Sequence, residues 1–219
     1  MIAETHKLRW RISRRYRWPW FVGYAAGKLH FDPAYRAVFQ HIHGRALPLL
    51  DIGCGMGLLA FYLRERGFAP PITGLDVDDR KIRRGRNIAD RYYPGVNLWV
   101  GDCTALPPFL GHLTMLDVLH YLSPAEQSHV LREMAERVAP GGWCIIRTTP
   151  HDDGWRFYGS LAIEKLARGL SWLARDAIAF PHVEDIAAQF PADQFVRDIR
   201  PLWGGTPFNS WLLAFRRRS

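Results

Sequence analysis

The 219-residue chain predicts an α/β fold: a doubly wound, mostly parallel sheet of seven strands that ends in an antiparallel hairpin. Three observations lead there. Apolar stretches of strand length alternate with amphipathic ones between residues 47 and 148. The apolar stretches show no polar alternation, as expected of strands buried on both faces. The last two strand-like stretches are joined by too few residues for a parallel crossover, so they should pair antiparallel.

Residues 1–22 mix arginines with Trp10, Tyr16, Trp18, Trp20 and Phe21, and Pro19 interrupts any long helix there. Asp32 reads as an N-cap and Pro33 as the first residue of a helix carrying Tyr35, Val38, Phe39 and Ile42 at helical spacing. Gly44 is placed to end it. Leu47 to Ile52 is the first strand, and Leu58 to Arg66 a helix closed by Gly67. Pro71 to Val77 is the second strand, followed by a helix from Asp79 to Tyr92 that Asp79 should cap. Asn97 to Val100 and Leu113 to Leu119 are the third and fourth strands. The helix from Pro124 to Val138 has Ser123 as its cap and Glu126 three residues later, a capping-box pattern. Trp143 to Thr148 is the fifth strand, after the Pro140-Gly141-Gly142 turn. A long helix is expected over 155–176 and a shorter one from His182 to Phe190. Gln194 to Pro201 and Ser210 to Arg216 form the hairpin around Gly204-Gly205.

Composition bounds the function. Hydrophobic residues make up 48% and charged residues 23%, which fits a folded globular chain and argues against wholesale disorder. No apolar run approaches the roughly 20 residues of a membrane span, and the basic, aromatic start lacks the apolar core of a secretion signal. Cys54, Cys103 and Cys144 form no C-x-x-C pair, so neither a metal site nor a disulfide framework is expected. That usage fits a reducing, cytoplasmic setting. The net charge is +8, with Lys7, Arg9, Arg11, Arg14, Arg15 and Arg17 crowding the start and Arg216 to Arg218 closing the end. Such a balance suits phosphates, nucleic acid or an anionic membrane face, or is a solvated basic surface without a partner.

The first strand runs directly into Asp51-Ile52-Gly53-Cys54-Gly55-Met56-Gly57, with a helix behind it. Glycines at a strand–helix turn let backbone approach a ligand at the carboxyl edge of an open sheet. A dinucleotide fingerprint would put its third glycine at position 58, where Leu58 stands. A phosphate-cradling loop would continue into Lys and Ser or Thr, and Gly57 is followed by Leu58.

The loop resembles the first motif of class I S-adenosylmethionine-dependent methyltransferases, an acid followed by G-x-G-x-G. The resemblance covers most of residues 47–148 and implies a Rossmann-like methyltransferase fold. It implies that Asp76, in Gly74-Leu75-Asp76-Val77-Asp78, holds the ribose hydroxyls, a task suited to the two oxygens of a carboxylate. Asp102, in Gly101-Asp102-Cys103, would accept from the adenine amino group, with the backbone of Cys103 at the ring edge. Asp51 would orient the methionine ammonium, and Gly53 and Gly55 would lie along the methionine. The implied cofactor-binding set is Asp51, Gly53, Cys54, Gly55, Gly57, Asp76, Val77, Asp102, Cys103 and Asp117. One departure is visible: many relatives carry an acid at the start of the fourth strand, where this chain has Gly111 or His112. The domain organisation is then a basic, aromatic segment with a cap helix at 1–45 and an S-adenosylmethionine-binding domain at 46–219, with a lid insertion at 151–180.

Methyl transfer from a sulfonium needs alignment of nucleophile, methyl and sulfur, and sometimes removal of a proton. His120 and His151 are the candidate bases, since histidine titrates near neutral pH. Each has a structural alternative, His120 as a wall of the cofactor pocket and His151 as part of a polar loop. Trp155, Phe157, Tyr158 and Trp172 in the lid favour a small apolar or aromatic acceptor. The stretches Asp117 to Leu122 and Pro201 to Asn209 resemble methyltransferases of bacterial aryl-polyene pigment pathways, which implies an aromatic or carrier-bound acceptor. Two other functions compete. One is a nucleic-acid methyltransferase, against which stands Asp117-Val118-Leu119-His120 in place of an acid-or-Asn, Pro, Pro, aromatic signature. The other is a non-catalytic module held on an anionic membrane through residues 1–20.

Overall fold

The computed structural model describes residues 2–152, 154–160, 179–203 and 208–219. One seven-stranded sheet runs through it. Its strands are β1 (Leu49–Ile52), β2 (Ile72–Asp76), β3 (Val96–Val100), β4 (His112–Leu116), β5 (Trp143–Thr148), β6 (Phe195–Pro201) and β7 (Trp211–Arg217), in the order β3-β2-β1-β4-β5-β7-β6. β1 is parallel to both β2 and β4, with Asp51 opposite Gly74 on one side and Thr114 on the other. β7 enters antiparallel between β5 and β6. The order reverses at β1, so the carboxyl ends of β1 and β4 open a crevice where ligands bind in such sheets.

Side-chain alternation builds a core on each face of the sheet. Leu49, Ile145, Leu212 and Ala214 join one cluster, while their neighbours Leu50, Ile146, Leu213 and Phe215 join the other. The first cluster receives α1 (Ile2–Ser13), α2 (Pro19–Phe31), α3 (Ala34–Ile42), α4 (Leu58–Glu65) and α5 (Asp79–Tyr92). The second receives α6 (Pro124–Arg137) and α7 (Val183–Ala188). Both faces of the sheet are therefore covered, as the largely apolar inner strands require. Among the described residues no helix is long and apolar enough to cross a membrane.

Several boundaries differ from the sequence reading. Residues 2–31 form two helices joined by a 3₁₀ turn at Arg14–Tyr16. The signal for α1 is sparse: Leu8, Ile12 and Tyr16 are buried one turn apart among exposed charges. Pro19 does separate the helices, standing in the first turn of α2, where its missing N–H is harmless. The third helix begins at Ala34, one residue late, and Asp32 Oδ1 accepts from Ala34 N at 2.9 Å. Asp78, not Asp79, caps α5, accepting from Arg80 N and Lys81 N. β4 stops at Leu116 because Asp117 turns into the left-handed region, and Leu119–Tyr121 is a 3₁₀ turn. The capping box of Ser123 and Glu126 is present on α6. Residues 155–160 are helical; the rest of the expected 155–176 helix, with Trp172, and the Gly204-Gly205 loop lie outside the described residues.

Candidate active site

The glycine loop leaves β1 and folds back over β2. Gly53 N and Cys54 N both donate to Leu75 O, at 2.8 and 3.0 Å. Gly53, Gly55 and Gly57 have φ of 73°, 55° and 78°, values open to glycine and strained for other residues. They differ in what surrounds them. A Cβ on Gly55 would meet nothing within 4 Å, because Gly55 faces a cavity; one on Gly57 would strike Leu98 and Phe61. Gly57 thus shapes the loop from behind and does not line the cavity.

Two acids stand beside the loop. Asp51 is buried at the end of β1 and accepts one hydrogen bond, from Thr114 Oγ1 at 2.7 Å. Burial pushes its pKa from 3.8 up to about 7; the Thr114 hydrogen bond opposes this and Asp76 adds to it. Asp76 ends β2 and braces two turns at once: Oδ2 accepts from Gly55 N and Oδ1 from Asp78 N, each at 2.9 Å. Both acids line the cavity, as do Gly53, Cys54, Gly55 and Val77. Val77 is 62% exposed, a bare apolar patch beside the acids. After β3, Gly101 and Cys103 line the wall, whereas Asp102 lies between them off the wall with Oδ1 accepting from Thr104 N and Oγ1.

A second polar cluster forms the floor. Arg147, buried on β5, donates Nε to Asp117 Oδ1 at 2.8 Å and Nη2 to Asp117 Oδ2, while Nη1 donates to Asp32 Oδ1. Lys28 on α2 lies 3.2 Å from Asp32 Oδ2 and 3.6 Å from Asp117 Oδ2. Burial opposes the Asp117 charge, but Arg147 and Lys28 outweigh it and hold the carboxyl below its usual pKa. Lys28, Asp32 and Arg147 escaped the sequence reading, which took Asp32 only as a cap. The available signal was an arginine inside the otherwise apolar stretch Trp143 to Thr148, which needs buried acids around it.

His120 is buried on the cavity wall, stacked with Phe180 at 5.8 Å and tilted against Tyr121 at 4.2 Å. His151 is not brought to the wall: it is exposed and packs on Phe157 and His182. The reason is the chain path, since Asn209 Nδ2 donates to Pro150 O and Asp152 Oδ2 and draws the loop after β5 toward the last strands. His112 stands at the start of β4. It is buried, its Nδ1 accepts from Trp143 N at 3.0 Å, and burial lowers its pKa to about 4.

The cavity that these elements enclose has a volume of about 1480 Å³. Residues 49–142, which build its loop, acids and 3₁₀ turn, match the methyltransferase domain family. Over those residues the chain is similar to methyltransferase domains. A curated ubiquinone biosynthesis O-methyltransferase from Caulobacter vibrioides is 32% identical over 131 residues, covering 57% of this chain and 47% of that protein. The chain spans about half the length of the curated relatives it matches first. The chain is also similar in fold to an O-methyltransferase family protein from Burkholderia thailandensis, at a TM-score of 0.69, 17% identity, and 94% and 62% coverage of the two chains. A magnesium protoporphyrin IX methyltransferase from Synechocystis aligns at a TM-score of 0.63 and 19% identity, over 84% of this chain and 82% of that one.

Proposed function

We propose that the protein transfers a methyl group from S-adenosylmethionine to a small apolar or aromatic acceptor. The observation that carries this is the pairing of Asp51 and Asp76 beside the open face of Gly55. Asp51 has a single hydrogen-bond partner in a buried setting, so a cation brought next to it is favoured, and the methionine ammonium is such a cation. Asp76 keeps lone pairs free for a diol beyond the two backbone N–H groups it accepts. Val77 offers an apolar surface for a flat ring. The Synechocystis relative was solved with S-adenosylhomocysteine bound, which supports the same ligand here. Asp102 and the Cys103 backbone, at the end of β3, are assigned to the adenine edge by the same reading.

The cavity volume supports two occupants. About 1480 Å³ exceeds the roughly 300–1,000 Å³ of a single-ligand pocket. Away from the acids the wall carries Trp20, Tyr24, Phe31, Tyr121, Phe180 and Phe208, an apolar, aromatic surface. The cofactor supplies a methyl group on a positively charged sulfur, a leaving group that needs no proton. The chain's own work is to align the acceptor, exclude water and take a proton where the acceptor is an alcohol or phenol. This reading assigns that task to His120, which lines the cavity together with Asp117 and the aromatic surface. The aromatic wall and the Pro201 to Asn209 stretch, which contributes Leu202 and Phe208, favour an aromatic acceptor of the aryl-polyene type, free or carrier-bound. The ubiquinone relative's name agrees with a small-molecule acceptor.

Calorimetric titration of S-adenosylmethionine tests the reading. Wild type should bind it, and Asp76→Ala should bind it weakly or not at all. Absence of binding to the wild type would overturn the proposal.

A further inference from the structure

Helix α2 presents its apolar face outward. Ala25 and Leu29 anchor it to the core. On the opposite side Trp20, Gly23, Tyr24, Gly27 and Phe31 form one stripe, spaced about a turn apart, and all five line the cavity. Trp20 is 75% exposed, Phe31 67% and Tyr24 47%, and Trp18, just before the helix, is 68% exposed. A helix on a soluble surface normally turns charged residues to water, so an outward aromatic stripe calls for something to cover it.

Charge indicates what. Arg14 and Arg17, both exposed, sit in the turn that leads into α2. Across the cavity mouth Arg80, Lys81 and Arg84 line the rim from α5, and the Arg84 guanidinium lies 3.8 Å from the centroid of the Phe21 ring on α2. Exposed tryptophans beside arginines match the level of lipid headgroups, where rings sit below the phosphates and guanidinium groups among them. A protein partner seated on this stripe would plug the cavity, whereas a bilayer would leave it open to apolar molecules. We propose that α2 docks the chain on an anionic lipid surface with the cavity mouth toward the bilayer, so that the acceptor enters from the lipid. The docking stands without the proposed chemistry; the acceptor's route rests on that chemistry.

Co-sedimentation with vesicles containing about one-third phosphatidylglycerol in phosphatidylcholine tests it. The full chain should sediment with these vesicles and not with pure phosphatidylcholine. Tryptophan emission should shift to the blue, and binding should weaken as salt screens the charges. The triple variant Trp18→Ser, Arg14→Glu, Arg17→Glu changes only residues outside the cavity. It should lose about tenfold or more of vesicle binding and keep the wild-type titration with S-adenosylmethionine. No sedimentation of the wild type, or equal sedimentation of the variant, overturns the docking. So does retention on single-stranded RNA or an acidic protein without vesicle binding. Vesicle binding without S-adenosylmethionine binding would keep the docking and remove the acceptor's route.

Discussion

Arg147 holds both carboxylate oxygens of Asp117, one of the two non-glycine residues with positive φ among the described residues, at 59°. The left-handed conformation costs about 1–2 kcal/mol in a residue with a Cβ, and the fork of hydrogen bonds offsets it. Arg147 also holds Asp32, so one buried guanidinium ties the N-terminal helices to the carboxyl ends of β4 and β5. With Lys28 the cluster contains two cations and two anions. Arg147→Met leaves two carboxylates to share one lysine. We expect it to lower stability by about 3–5 kcal/mol in urea denaturation. Lys28→Met, at a side chain one-third exposed, should cost about 1 kcal/mol. Equal effects of the two substitutions would show that Arg147 is not the keystone of the cluster.

Asp51 and Asp117 should respond to pH in opposite senses. Asp51 has a folded pKa of about 7 against 3.8 for the free side chain, so the folded state holds its proton more tightly. Its stabilising effect is complete below 3.8 and is lost as pH rises to about 7. Asp117 is depressed, so its contribution is present above the usual carboxylate value and is lost as pH falls through its lowered pKa. Binding of the methionine ammonium favours ionised Asp51 and therefore releases a proton at mildly acidic pH. Affinity for S-adenosylmethionine should rise about tenfold between about pH 6 and 8 and then level off. Calorimetry in buffers of different ionisation enthalpy would count the proton. A flat profile in wild type, or the same slope in Asp51→Asn, would sink the assignment.

The parallel sheet was legible because β1, β2, β4 and β5 are mostly apolar without strict polar alternation and are separated by helix-length segments. The glycine loop was legible because Asp51, Gly53 and Gly55 lie together in one short segment. The floor was not. Asp32, Asp117 and Arg147 lie on three separate elements, and only the tertiary fold brings an arginine across 115 positions to Asp32. For His151 the sequence shows that it follows β5 but not which way the chain turns there. The loop there is held by Asn209, 59 positions beyond its partner Pro150. The helices of residues 2–31 were hidden by arginines that pair outside their own helix, as Arg11 and Arg15 do with Glu65.

Gly57 and Gly55 have similar backbone angles and should fail differently. At Gly57 a Cβ would stand 2.8 Å from Leu98 Cδ1 and 3.0 Å from Phe61 Cζ, and Phe61 is fully buried and stacked on Tyr93. Gly57→Ala adds overpacking to left-handed strain, about 2–4 kcal/mol together. That corresponds to a fall in melting temperature of roughly 5–15 °C for a domain of this size. Gly55→Ala meets open space and should cost only the strain, about 1–2 kcal/mol. Its methyl group projects toward the cavity, so S-adenosylmethionine binding should suffer more than stability. Thermal melts and titrations of both variants decide it; the reverse ranking would mean that the loop is oriented otherwise.

Asp76 has two tasks, and they can be separated. It braces Gly55 N and Asp78 N, and it is assigned to the ribose diol. Asp76→Ala abandons both N–H groups, so stability should fall by about 1–2 kcal/mol. Binding of S-adenosylmethionine should weaken by about 100-fold. Asp76→Asn keeps one acceptor oxygen and should weaken binding by about tenfold. Adenosine, which carries the diol but no ammonium, distinguishes the two acids of the site. Asp76→Ala should weaken adenosine and S-adenosylmethionine alike, because both present the same hydroxyls. Asp51→Asn should weaken S-adenosylmethionine and leave adenosine unchanged, because only the former has a cation for Asp51 to meet. Equal losses for both ligands in both variants would mean that the acids merely hold the loop in shape, and the division of labour between β1 and β2 would have to be abandoned.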